Sequence, residues 1–446
     1  MNPTLVAQTS SIEQLQTRLR EARARCENLF NVILPAALYD RPIPERHRII
    51  FYLGHLETFD WNLLHGPLGL TSFAPEYDRI FAFGIDPVEG SLPSDLPGDW
   101  PSLDRIQRYT GRLREILDSA IHAEAERDSS FARLENGRLL EVAIEHRLMH
   151  VETLCYMLHQ LPLDRKLRLS DIPSPPATSR DSHSVEIPAG MATLGIPRSP
   201  NGANTRFGWD NEFEEKSAEV PAFAIDAYSV TNGDFLRFIN AGGYHERGFW
   251  SDAGWKWITS QGLRCPAFWV PGRNSWRYRT MFDLIPLPLD WPAYVSHDEA
   301  TAYARWAGKR LPSETEWHRA ACGTRAGAER QYPWGDDAPV SSHGNFDFHH
   351  WDPVPVGSYP DGNSDFGVAD LVGNGWEWTR TPFEPLPGFE PFSFYPGYSA
   401  NFFDGNHFVM KGGSPRTAAC MLRRSFRNWF QPHYPYVYAK FRCVES

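Results

Sequence analysis

Cysteine is scarce in this chain. The six present, Cys26, Cys155, Cys265, Cys322, Cys420 and Cys443, show no CxxC and no metal-binding spacing. That excludes a cysteine-based zinc site and a disulfide framework, and fits reduced, mostly buried thiols in a cytosolic protein. Positive charge is also in short supply, with 44 Lys and Arg against 55 Asp and Glu and a net charge of -11. No basic stripe with interleaved aromatics stands out, so nucleic acid is not expected as a partner. Apolar runs stop short of membrane-spanning length, and MNPTLVAQTSSIEQLQ has neither the basic start nor the apolar run of a signal peptide. A cytoplasmic protein with no membrane partner is expected. No internal repeat of fixed period is visible.

Aromatic side chains, by contrast, are plentiful, with 16 Trp and 17 Tyr in 446 residues. That length exceeds a single core, so two domains or three are expected. The first half reads as helices. Ile12, Leu15 and Leu19 recur at helical spacing among Arg and Glu, predicting an amphipathic helix from Ser11 to about Arg25 that runs on through Leu29 and Phe30. Pro44 to Leu64 reads as a buried helix carrying His55, and Phe73 to Gly98 as a loop that caps a site. Leu103 to Ala125 and Asn136 to Gln160 complete a four-helix bundle over residues 1–170. SDIPSPPATSRDSHS predicts a linker at residues 171–185. From 186 to 446 the pattern is short strands, turns, Gly and Trp. Helices are expected there around Thr231 to Asn240 and His297 to Ala307, with a strand pair in VEIPAGMATLG. The fold class is α+β, a helical bundle followed by an irregular domain of packed aromatics and turns.

Within the bundle, HRLMHVETLCYM sets His146 and His150 four apart. Four residues is just over one helical turn, so both imidazoles leave one face and can close on one metal ion. His55, among apolar and aromatic neighbours in FYLGHLETFDW, is the candidate third ligand. Three neutral imidazoles suit iron, zinc, copper or nickel and leave coordination positions open for substrate. The alternative is a surface pair or satisfied core histidines. Leu148, Met149, Val151, Leu154 and Met157 surround the pair with apolar side chains, as a ligand-bearing helix in a bundle requires.

The second half resembles the formylglycine-generating or sulfatase-modifying factor domain, of the C-type-lectin-like class. The resemblance runs through IPAGMATLG (Ile187 to Gly195), FAIDAYSVTNGDF (Phe223 to Phe235), RLPSETEWHRAA (Arg310 to Ala321), YPWGD (Tyr332 to Asp336), GVADLVGNGWEWT (Gly367 to Thr379), MKGGS (Met410 to Ser414) and the terminal FRCVES. The bundle with its histidines resembles the DinB-type metal-binding domain. That pairing is the architecture of the ergothioneine-type sulfoxide synthases and of the related selenoneine synthases. The resemblance implies a non-haem Fe(II) held by His55, His146 and His150, with O2 as co-substrate and hercynine (trimethylhistidine) as acceptor.

The same resemblance assigns the tail. RNWF supplies Asn428 and Trp429 for hercynine: an amide can bond a carboxylate, and an aromatic face attracts a quaternary ammonium by roughly 0.5 to 2 kcal/mol. FYPGYS supplies Tyr395 as a proton or hydrogen-atom donor, neutral at pH 7, and Tyr398 as a substrate contact. Read without the family, Trp429 is a core residue, Asn428 a turn residue, and the tyrosines pack a Pro-Gly turn.

Two departures bear on the donor. Met149 stands where many sulfoxide synthases have a substrate-holding Gln, and EYDRIFAFGIDP replaces their Asn-Ser-Tyr-Tyr loop, with Asp78 and Arg79 after Tyr77. HRLMHVETL and FAFGIDP are similar to the selenoneine synthases, which implies carbon–selenium bond formation between hercynine and a selenosugar, with Met149 at the substrate. The alternatives are a sulfoxide synthase using cysteine or γ-glutamylcysteine, a zinc-dependent thiol transferase, and a non-catalytic lectin-like binding module. Oxidation of a target cysteine to formylglycine is set aside, because Cys420 has no matching partner cysteine. Oligomeric state is not legible.

Overall fold

The computed structural model describes residues 12–82, 92–127, 131–169, 173–175, 182–198, 207–273 and 275–445. They form two compact units. The first takes the described residues through Leu169 together with Phe207, and the second takes the rest.

The first unit is a four-helix bundle of α1 (Ile12–Phe30), α2 (Ile49–Leu64), α4 (Leu103–Arg127) and α5 (Arg138–Gln160), with a short α3 (Pro75–Ile80) between the second and third. α1 buries one stripe, Leu15, Leu19, Ala22, Cys26 and Leu29, and α4 another, Ile106, Tyr109, Leu113, Leu117 and Ile121. Such stripes at helical spacing make outer helices with a solvated back. α2 and α5 are buried on nearly every face, so they form the inner pair, and α2 packs on both α4 and α5.

Two helix starts differ from the sequence reading, and the expected loop holds a helix. α2 begins at Ile49 rather than near Pro44, because Arg48 is extended at ψ 153° and the amides of Ile49 and Ile50 bond back to Asp40 and Leu38. α5 begins at Arg138, because Asn136 and Gly137 hold φ of 58° and 87°, left-handed geometry that cannot propagate a helix. The stretch expected as loop contains α3, with Pro75 at its first turn beside Glu76 and Asp78, residues that suit a helix start. The FGIDP part of FAFGIDP, at 83–87, lies outside the described residues, as do residues 1–11 and most of the expected linker.

The second unit is built of small sheets. β1 (Ser184–Ile187), β4 (Phe223–Asp226), β13 (Val444–Glu445) and β8 (Lys309–Arg310) lie in that order in one sheet. A second sheet runs β11 (Asn428–Phe430), β10 (Phe408–Lys411), β9 (Trp376–Pro382) and β12 (Ala439–Lys440). A two-stranded ribbon pairs β2 (Gly190–Leu194) with β3 (Lys216–Val220), and β5 (Trp269–Pro271), β6 (Trp276–Arg279) and β7 (Leu284–Pro286) make a three-stranded meander. VEIPAGMATLG therefore contains two strands, but they do not pair with each other: β1 bonds β4 and β2 bonds β3.

Helices α6 (Asn232–Asn240) and α8 (His297–Trp306) stand where expected, and two more, α7 (Asp252–Gln261) and α9 (Glu314–Cys322), were not anticipated. Both begin on a serine cap, and at Ser313 the cap is a box closed by Glu316, a signal present in the sequence as S-x-x-E. Trp317 of α9 packs with Ile187, Ile225, Phe366, Leu371 and Val444 in the core. The central polar knot is Glu377, whose buried carboxylate accepts from Arg442 at 2.5 Å and 2.8 Å and from the Trp317 indole at 2.9 Å. Buried charge of this kind persists only where each oxygen is satisfied. No helix among the described residues is long and apolar enough to cross a membrane.

Candidate metal centre

His55 on α2 and His146 and His150 on α5 are all buried, and their ligand atoms lie within 4.8 Å of one another. His150 Nε2 is 3.3 Å from His55 Nε2 and 3.1 Å from His146 Nε2. No other group of three His, Cys, Asp or Glu side chains among the described residues meets so closely. The His55 Nδ1 proton is donated to the carbonyl of Phe81 at 2.7 Å, which leaves its Nε2 lone pair directed at the other two rings.

Burial drives all three rings toward the neutral form. His55 is held down to about 4, with the Phe81 carbonyl only partly opposing the desolvation. His146 and His150 lie well below the ordinary imidazole value, first because of burial and then because each faces another ring. Neutral imidazoles whose Nε2 atoms converge within hydrogen-bond distance are a donor set that suits a divalent cation. The residues therefore fit iron, zinc or a neighbouring first-row ion, and three protein ligands leave positions for reactants.

Packing sets the ring planes. Phe51, His55 and Phe59 fall four apart on α2; Phe51 stacks on His55 at 4.8 Å, and Phe59 stacks on His146 at 3.3 Å with 9° between planes. The helices are locked by Arg147, next in sequence to His146. Its guanidinium donates to Glu57 at 3.0 Å, to Asp60 at 2.6 Å and to the Leu56 carbonyl at 2.9 Å. Burial would raise the Glu57 carboxyl, but Arg147, Arg23 and Arg114 together hold it down to about 2. Met149 is half-buried on α5 between the two ligands, and its carbonyl accepts from Thr153.

In the second unit the four remaining candidates come together. Trp429 stacks on Phe383 at 4.1 Å, meets Tyr398 edge-on at 5.4 Å and approaches Phe402 at 5.6 Å. Tyr398 lies 5.6 Å from Tyr395 and stacks on Trp209 at 4.0 Å. Asn428 Oδ1 accepts from the Trp429 amide, so its side-chain NH2 is the group left to donate. β11, which carries both residues, is anchored by buried Arg427, paired with Glu314 of α9 at 3.0 Å. Trp429 and the tyrosines thus do pack with aromatic neighbours, as the reading without a family expects, yet Trp429, Asn428 and Tyr395 remain half-buried rather than sealed.

Several supporting residues were not singled out from sequence. Phe59, Phe81 and Arg147 hold the triad, and under the tyrosine loop Asn211 donates to Ser399, which donates to Asp210 at 2.5 Å. The GWDNEF run was a visible signal for Asp210 and Asn211, and the Arg adjoining His146 for Arg147; Phe59 and Phe81 had none.

Residues 18–154 match the DinB superfamily and residues 170–446 the sulfatase-modifying factor enzyme 1-like domain. Across both, the chain is 34% identical over 443 residues to the hercynine oxygenase of Mycobacterium tuberculosis, covering 98% of this chain and 99% of that protein. The chain belongs to the hercynine oxygenase family. Within that family it is also 36% identical over 346 residues to the hercynine oxygenase of Mycolicibacterium thermoresistibile, covering 76% of this chain and 74% of the other. It is 30% identical over 498 residues to ergothioneine biosynthesis protein 1 of Neurospora crassa, where 92% of this chain spans 55% of that larger protein.

Proposed function

We propose that this member of the hercynine oxygenase family is an iron-dependent enzyme that joins the imidazole carbon between the ring nitrogens of hercynine to the sulfur of a small thiol. The observation that carries the reading is the convergence of three buried, neutral imidazoles at His55, His146 and His150. The names of the mycobacterial and fungal relatives support hercynine as substrate and a sulfur donor. In the overall reaction a C–H and an S–H bond break and a C–S and an S–O bond form. O2 takes four electrons, one oxygen ending on sulfur and the other in water.

Fe(II), when bound, supplies the reduction of O2 and positions where both reactants are held together. The chain's own residues do the rest. Burial keeps the three imidazoles neutral, and the Phe81 carbonyl fixes which His55 nitrogen faces inward. Trp429 and Tyr398 offer aromatic faces to the trimethylammonium group, and the Asn428 NH2 donates to the carboxylate. Tyr395, 5.6 Å from Tyr398, is the phenol this reading casts as proton or hydrogen-atom donor.

A selenosugar donor is the second reading, favoured by Met149. A thioether on the ligand-bearing helix is a soft, apolar neighbour where an amide would hydrogen-bond a polar donor. Competition decides between them: Fe(II)-loaded protein, hercynine and O2 are given cysteine, γ-glutamylcysteine, thioglucose and selenoglucose together, and the conjugate is weighed. A dominant thiol adduct supports the first reading; a dominant seleno-adduct replaces it with the second. Absence of any conjugate from an iron-replete protein removes both.

A further inference from the structure

We propose that Asp78 is a positioning residue of the metal centre: it pins α3, and α3 in turn presents the Phe81 carbonyl that fixes the orientation and tautomer of His55. The inference rests on the triad being a metal centre, but not on the identity of the substrates. Asp78 lies in the EYDRIF stretch that replaces the loop expected from the sulfoxide synthases, and nothing in the proposed chemistry uses it.

The geometry is that of an anchor. Asp78 Oδ1 accepts from the Tyr109 hydroxyl of α4 at 2.5 Å. Its Oδ2 accepts from the Trp61 indole of α2 at 3.1 Å and from Ser72 at 2.5 Å. One carboxylate therefore ties a helix of six residues to two helices of the bundle. A helix this short has no stability of its own, so such ties decide where it sits. Three residues on, Phe81 ends α3: its amide bonds to the Tyr77 carbonyl, and its own carbonyl accepts the His55 Nδ1 proton at 2.7 Å.

Gly54 completes the device from the other side. A Cβ there would meet the Phe81 ring at 2.4 Å, closer than any side chain tolerates, so only glycine lets that ring lie on α2 one residue before the ligand. The Tyr109 hydroxyl, which bonds Asp78, also lies 3.1 Å from Thr58 Oγ1, and Thr58 donates to the Gly54 carbonyl at 2.9 Å. Asp78, Tyr109, Thr58, Gly54 and Phe81 thus pack as one cluster beside the ligand His55. Hydrogen-bond partners of metal-bound histidines change metal affinity by about 10- to 100-fold when removed. An indirect support belongs at the lower end of that range.

The test uses the full chain with Asp78→Asn, which keeps the size but not the acceptor pair, and Gly54→Ala, with Glu76→Gln as the exposed control on the same helix. Co(II) is titrated by its visible absorption, helix content is followed by circular dichroism, and the His55 ring nitrogens are assigned by 15N NMR in the metal-free protein. Asp78→Asn and Gly54→Ala should each weaken Co(II) binding about tenfold with helix content retained, and should move His55 from the Nδ1–H tautomer toward a mixture, while Glu76→Gln matches the parent. Unchanged affinity and an unchanged His55 tautomer in both variants overturn the proposal, as does a loss of affinity that only tracks a loss of helix. If the parent itself binds no Co(II) or Fe(II), the metal centre fails as a reading, and the 15N tautomer alone then decides what Asp78 does.

Discussion

His150 sits at the middle of the triad, within 3.3 Å of both other ligand nitrogens, and its replacement should be the least tolerated. His150→Ala should abolish stoichiometric iron binding, measured by metal analysis after dialysis; retention of a full equivalent with full turnover refutes the triad. Arg147 is the second residue on which the centre depends, though it binds no metal. Replacing Arg147 with Met leaves Glu57 and Asp60 buried with less compensation, so unfolding of the bundle by urea should be easier by about 3 to 5 kcal/mol. The His146–His150 spacing was legible from sequence because both ligands lie on one helix. His55 was a candidate from its apolar and aromatic setting in FYLGHLETFDW, and the resemblance joined it to the pair, since no local pattern reports a partner on a distant helix. Gly54, Phe81 and Asp78 were beyond reach for the same reason: their roles exist only once α2, α3 and α4 are packed together.

Between elements, the strand that matters most is β11. Its pairing with β10 sets Trp429 opposite Val409 and Asn428 opposite Met410, and the Arg427–Glu314 pair holds its start. Trp429→Ala should raise the KM for hercynine by about 2- to 30-fold, the equivalent of roughly 0.5 to 2 kcal/mol of cation–π attraction, with kcat changed less; an unaltered KM removes Trp429 from the hercynine site. A pH effect belongs to the same sheet. His297 of α8 stacks on Phe408 of β10 at 3.9 Å, and burial pushes its imidazole down to about 3. The unfolded chain takes up that proton near the ordinary value of 6.5, so the contribution is whole above it and is lost as pH falls toward 3. Protection factors of the β9 and β10 amides, corrected for the intrinsic pH dependence of exchange, should therefore fall between pH 6.5 and 4, and less steeply in His297→Phe. Equal slopes contradict it. The long helices were legible from their apolar period, while α3, α7 and α9 were not: α3 has no side-chain cap and is held by the bonds to Asp78, and α7 and α9 start on serine caps. The VEIPAGMATLG strands were legible as strands but not as members of separate sheets, because each pairs not with its neighbour but with a strand further on, Ser184 opposite Asp226 and Gly190 opposite Val220.

At the scale of the molecule, a DinB bundle carrying three histidines and a sulfatase-modifying-factor domain carrying an aromatic cluster occur in one chain of the hercynine oxygenase family. Composition and motif order made both domains legible, since the motifs recur in sequence order across the whole second half. The chalcogen donor was not, because the residues that set it apart, Met149 and the EYDRIFAFGIDP stretch, identify a departure rather than a ligand. One measurement tests the metal and the acceptor together. Fe(II)-loaded protein is mixed with hercynine and the four donors, with and without O2, beside the Zn(II)-loaded form and His150→Ala, and the products are identified by mass. The expected result is a hercynine conjugate oxidised at sulfur or selenium that needs both iron and O2 and is missing from His150→Ala. A conjugate formed equally by the zinc form without O2, or none from the iron form with any donor, contradicts it.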